Sequence, residues 1–126
     1  MILIGGQEFT DETIKKVLDL CDNDYIQGLS ILGGEPMNPV NIEGTTKLAK
    51  AFKEKYPNKD LWAWSGYTYE NYLKDKDVLN YLDVIVDGQY EDEKHNPTLK
   101  WRGSENQRVI DVPETIKENK VVLKCE

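Results

Sequence analysis

Three short apolar runs, each ended by glycine, constrain this chain more than any other feature. They are Gly28-Leu29-Ser30-Ile31-Leu32 before Gly33-Gly34, Leu61-Trp62-Ala63-Trp64-Ser65 before Gly66, and Val84-Ile85-Val86-Asp87 before Gly88. Runs this short and this continuously apolar suit strands covered by helices, the habit of parallel sheets. The segments between them read as helices. Thr10 can cap a helix over residues 11–20, with Asp11 and Glu12 in its first turn complementing the helix dipole. Ile14, Val17, Leu18 and Cys21 recur at helical spacing and predict one buried face. Asn38 can cap a second helix that has Pro39 at its first position. That helix should run to about Tyr56, bury Leu48, Ala49, Phe52 and Tyr56, and stop before Pro57. Thr68 can cap a short helix through Leu73, and a second helical stretch covers residues 78–82. A strand over residues 109–112, a short helix over 113–118 and a closing strand over 121–124 complete the pattern. It predicts one α/β domain over residues 1–126, its sheet mostly parallel and covered on at least one face. The irregular stretch 89–106 is long for such a domain, and loops of that length are usually functional or mobile.

Composition excludes several classes. The net charge is −7, and no lysine or arginine cluster lacks interleaved acids, so a nucleic-acid partner is not expected. The longest apolar run, Met1–Ile4, is far short of a membrane span or a signal-peptide core, so the expected address is cytoplasmic. Two well-separated cysteines, Cys21 and Cys125, and one histidine, His95, cannot by themselves build a tetrathiolate zinc site, an iron–sulfur cluster or a histidine pair. Cys21 falls on the apolar stripe of the first helix and reads as a small core hydrophobe; Cys125 has no assigned role. Glu91-Asp92-Glu93 could ligate a metal, although adjacent charges usually form a solvated face.

In parallel α/β folds the carboxyl ends of the strands lie on one rim, where ligands bind. Glycine there permits close approach of the backbone to a ligand. Glu35, Ser65, Asp87 and Gln89 would then converge on one pocket. A carboxylate such as Asp87 suits an ammonium group or a ribose hydroxyl, and Ser65 suits a hydroxyl or a carboxylate. In the alternative reading the glycines serve only as helix–strand turns and the polar groups as caps. Neither G-x-G-x-x-G nor a P-loop is present, and Pro36 removes an amide that a phosphate would need.

Gly33-Gly34-Glu35-Pro36 after an apolar strand resembles the GGE/GGD-P motif of radical S-adenosylmethionine (SAM) enzymes. Three further segments sharpen the likeness: residues 61–68 (LWAWSGYT), 83–90 (DVIVDGQY) and 101–112 (WRGSENQRVIDV). In this order and spacing they resemble the activating proteins of anaerobic ribonucleoside-triphosphate reductase, from about Gly6 to the C-terminus.

The resemblance implies a partial (βα) barrel of mostly parallel strands with the site at their C-terminal rim. It implies a [4Fe-4S] cluster held by C-x-x-x-C-x-x-C, with SAM chelated to the unique iron. One-electron cleavage of SAM to a 5′-deoxyadenosyl radical then generates a glycyl radical on the large subunit of the reductase, the implied partner. Carried over by position, Gly33, Gly34 and Glu35 hold the methionine amino group, Ser65 sits near the ribose or carboxylate, and Asp87 lies beside the methionine moiety. Gln89 stands where some relatives have lysine. The cysteine triad and first strand that the family places before Gly5-Gly6 are absent, and Met1-Ile2-Leu3-Ile4 stands in their place. The expectation is therefore a truncated radical-SAM activase, inactive alone, with no catalytic or metal-ligating residue of its own. A separate Cys-rich N-terminal chain is a candidate second partner. The alternatives are a non-catalytic SAM- or reductase-binding module, and a folding remnant whose missing first strand exposes a sheet edge for another chain or a dimer partner to cap.

Overall fold

The computed structural model describes residues 2–5, 10–32, 35–88 and 107–124. Its five-stranded sheet runs β1 (Ile2–Gly5), β2 (Gly28–Leu32), β3 (Asp60–Trp64), β4 (Val84–Asp87), β5 (Arg108–Asp111), in sequence order. The first four strands are parallel, with Ile4 beside Ile31, Ile31 beside Ala63 and Ala63 beside Ile85; β5 pairs antiparallel with β4, Ile110 beside Ile85. Parallel neighbours in sequence order, joined by crossovers of one hand, put every connecting helix on the same face.

The core bears this out. Leu29, Ile31, Leu61, Ala63, Ile85 and Ile110 pack under helices α1 (Asp11–Leu20) and α2 (Ile42–Lys55). Strand side chains alternate, so Trp62, Val84, Val86 and Val109 form a second buried cluster on the opposite face, with Trp64 against it. On the helix side the β3–β4 crossover is a π-helical turn (Tyr69–Leu73) followed by a 3₁₀ turn (Asp77–Tyr81). Helix α3 (Val112–Glu118) then reverses the chain, and Val122–Lys124 returns along the outer edge of β5. There Asp111 N–H donates to Val122 O at 2.8 Å and Lys124 N–H to Val109 O at 2.9 Å. No described helix is long and apolar enough to cross a membrane.

Four features differ from the sequence expectation. The first strand, expected to be missing, is present: the opening apolar run forms β1 and covers the edge of β2. The closing strand is reduced to a bridge between Ile110 and Leu123. Helix α2 begins at Ile42 rather than Pro39: Asn38 Oδ1 accepts from Asn41 N at 2.8 Å, and this local bond closes a turn instead of starting the helix. Tyr56 leaves the helix at φ −129 before Pro57 and is only half-buried. Thr10 caps α1 as expected, accepting from Thr13 N at 3.2 Å.

The turn between α1 and β2 is built around a single cation. Lys59 Nζ donates to Cys21 O, Asn23 O and Ile26 O at 2.8, 2.9 and 2.7 Å, and lies 5.0 Å from the Tyr56 ring centroid. Cys21 O lies at the C-terminal end of α1, where positive charge is favoured. Lys59→Met should lower stability by about 1.5–3 kcal/mol, the range for hydrogen bonds to a charged group. A urea unfolding midpoint equal to the parent's would reject this account of the turn.

Candidate site at the strand ends

Glu35, just past β2, adopts φ 44 in the left-handed region. A non-glycine residue there carries a cost of about 1 kcal/mol or more, so its surroundings must hold it. Glu35 Oε1 accepts from Gly66 N at 2.6 Å, and Oε2 accepts from Ser65 Oγ at 2.9 Å and Met37 N at 3.1 Å. Its backbone carbonyl accepts from Asn41 Nδ2 at 3.2 Å. Ser65, 5% exposed, uses the same Oγ to accept from Tyr67 N at 3.1 Å. The loop is braced from two more elements: Thr45 of α2 donates to Pro36 O at 2.8 Å, and Tyr72 of the π-turn donates to Met37 O at 2.6 Å.

Glu35 and Ser65, which the strand-end rule brings to one rim, are thus in direct contact. An ionised carboxylate accepts about four hydrogen bonds, and the described residues supply three to Glu35. The corner therefore presents a carboxylate at the strand ends, which suits an ammonium group. Gly33, Gly34, Gln89, residues 91–93, His95 and Cys125 lie outside the described residues.

Asp87 ends the next strand. Ser65 N donates to Val86 O at 2.9 Å and Gly88 N to Tyr67 O at 3.0 Å, so the ends of β3 and β4 lie side by side. Gly88 has φ 98, a value that needs glycine. The Asp87 carboxylate, however, is fully buried on the helix-covered side of the sheet, the side that Ile85 shares. Oδ1 accepts from Arg108 Nε at 3.0 Å, and Oδ2 accepts from Arg108 Nη2 and from Tyr69 N, the latter at 2.9 Å. The expected cap of the following turn, Thr68, makes no side-chain cap bond. Asp87 caps it instead.

Arg108 also grips Glu70 in the first turn of the π-helix, Nη1 to Oε2 at 3.0 Å and Nη2 to Oε1 at 2.6 Å. Its proton is held more firmly than usual, by Asp87 first and Glu70 second. The Arg108 hydrogen bonds in turn set Glu70 below the ordinary carboxylate range. Burial, with smaller contributions from Tyr67 and Glu35, raises the Tyr72 hydroxyl, which stays a donor. Tyr72 stacks on Tyr67 with ring centroids 3.9 Å apart, and Lys76 Nζ lies 4.3 Å from the Tyr72 ring. Arg108, Glu70, Tyr67 and Tyr72 were not among the sequence-derived site residues. Arg108 faces Asp87 only through the antiparallel register of β5 on β4.

This is an α/β domain with a polar corner at its parallel strand ends, and residues 3–110 match the family model described as a 4Fe-4S single cluster domain. More specific relatives are anaerobic ribonucleoside-triphosphate reductase-activating proteins. That of Enterobacteria phage T4 is 46% identical over 106 residues, covering 83% of this chain and 66% of the relative. That of Vibrio cholerae is 41% identical over 109 residues, covering 83% and 70%. That of Pasteurella multocida is 43% identical over 84 residues, covering 64% and 53%. The chain belongs to the anaerobic ribonucleoside-triphosphate reductase-activating protein family. It spans from about half to 70% of the lengths of these relatives. No solved structure matches it.

Among the described residues the donor set does not fit the cluster for which the family model is named. Cys21 is completely buried at the end of α1, and burial pushes its thiol up, away from the thiolate that iron needs. Among the described residues no group of three or more histidine, cysteine, aspartate or glutamate side chains is placed to hold a metal.

Proposed function

We propose that this chain is the SAM-holding part of a radical-SAM activase and that it serves the large subunit of an anaerobic ribonucleotide reductase. Its open sheet acts as the partial barrel of that fold. The observation that carries the reading is the left-handed Glu35, whose carboxylate is held by Ser65 and Gly66 at adjoining strand ends. Gly33 and Gly34 allow the backbone to approach the methionine amino group, Glu35 supplies negative charge to it, and Ser65 fixes the Glu35 carboxylate. Asp87, fully buried and held by Arg108 and Tyr69, acts by position rather than by contact. No radical step is assigned to these residues.

The test is a titration of SAM into the ¹⁵N-labelled protein, with adenosine as control. SAM should shift the amides of Ser65, Gly66 and Tyr67, and adenosine should leave them in place. Unmoved resonances at millimolar SAM would overturn the reading. The poor fit of the donor set favours one alternative, a non-catalytic SAM- or reductase-binding module. That alternative predicts the same shifts, with no 5′-deoxyadenosine formed when a cluster-bearing chain and a reductant are added.

A further inference from the structure

We infer that Arg108 is a positioning residue for the Glu35–Ser65 corner, acting through the π-turn that carries Glu70 and Tyr72; the inference rests on reading that corner as the ligand site. A π-turn closes wide rings and is seldom self-sufficient. Here Leu73 N donates to Thr68 O at 3.2 Å and Lys74 N to Tyr69 O at 2.9 Å, both five residues back. Its start is held from outside, by Asp87 on the Tyr69 amide and by the Arg108 fork on Glu70. Arg108 is itself fixed, because Nε and Nη2 are committed to the buried Asp87. The planar guanidinium therefore sets the place and the tilt of the turn relative to the β4–β5 edge.

Two residues beyond Glu70, Tyr72 reaches both sides of the corner. Its hydroxyl holds Met37 O at 2.6 Å, in the loop that presents Glu35. Its ring stacks on Tyr67, whose amide binds Ser65 Oγ. Loosening the grip on Glu70 lets the turn relax, and both braces of the corner weaken together. The Gly66 amide reports on this directly, since its 2.6 Å bond goes to the Glu35 carboxylate and to neither Glu70 nor Arg108. A short charge-assisted bond of this kind gives a strongly downfield amide proton.

The variants are Glu70→Gln, Tyr72→Phe and their combination. Glu70 is largely exposed and Tyr72 loses one hydroxyl, so the fold should survive each change. In ¹H–¹⁵N spectra without ligand, each single variant should move the Gly66 amide proton upfield. Each should also weaken SAM binding about 3–10-fold, the scale of coupling through a packed network. The double variant should be little worse than either single one, because both lie on one path. An unmoved Gly66 resonance in folded Glu70→Gln, or effects that simply add, would overturn the inference. A merely structural role for the pair lowers the unfolding midpoint and leaves Gly66 where it is. If the parent protein binds no SAM, the proposed function fails, while the ligand-free Gly66 shift still decides the relay.

Discussion

Replacing Arg108 by leucine is expected to lower stability by about 3–5 kcal/mol, the cost of stripping the partner from a buried charge. The Asp87 side chain is 1% exposed, so among the described residues the variant would leave it only the Tyr69 amide as a donor. Leucine replaces much of the apolar stem of arginine, so lost packing does not explain the loss. The pair as a whole is worth far less than this, because both ions were desolvated to make it. The double variant Asp87→Val, Arg108→Leu should therefore recover a large part of the loss, and a double-mutant cycle in urea would measure it. An Arg108→Leu protein within about 1 kcal/mol of the parent would refute the arrangement. The Glu70 arm is exposed and screened by solvent. Its pKa is lowered in the fold, so its contribution is present at neutral pH and fades as pH falls below the ordinary carboxylate range.

At Glu35 the second large effect separates side chain from backbone. Glu35→Ala removes the acceptor for Ser65, Gly66 and Met37 and keeps the left-handed conformation. A loss of about 2–3 kcal/mol is expected, in line with hydrogen bonds to a charged group, with part returned by water at the exposed Gly66. Glu35→Gly loses the same bonds without the Cβ clash, and should be more stable than the alanine variant by about 1 kcal/mol. Both should weaken SAM binding by roughly tenfold or more, since both remove the charge. Equal stability of the two variants in urea melts would show that the loop relaxes out of the left-handed region. Unchanged SAM affinity would remove Glu35 from the proposed site.

The sequence carried the elements whose signals are local. The helical spacing of Ile14, Val17 and Cys21, the Thr10 cap and the glycine-stopped strands all describe segments that the structure contains. The direction of β5 was not legible, because Val109-Ile110-Asp111 reads the same in a parallel or an antiparallel strand. Asn38-Pro39 satisfies the rules for a helix start and for a turn alike, and in the structure the Asn38–Asn41 bond closes a turn before α2 begins. At the site, the rule that parallel strand ends share a rim was enough to bring Glu35 and Ser65 together. Gly88 takes a positive φ as a strand-end glycine can, and Glu35 joins it in the left-handed region because its side chain has three donors to hold it. Arg108 could not be found without the register, since its partners Glu70 and Asp87 are 38 and 21 residues away in the chain.

The tryptophans of β3 bear on how the domain can be watched. Trp62 and Trp64 lie on the face away from the helices, with ring centroids 5.7 Å apart and planes 28° from parallel. Indoles this close share their electronic excitations, so β3 carries a coupled chromophore with a two-signed circular dichroism band. Among the described residues both indoles lie on one side of the sheet, while the rings on the opposite face are phenylalanine and tyrosine. The indole pair ends one residue before Ser65. An optical signal intrinsic to the chain thus sits beside the corner where the ligand is proposed to bind, and no label has to be introduced.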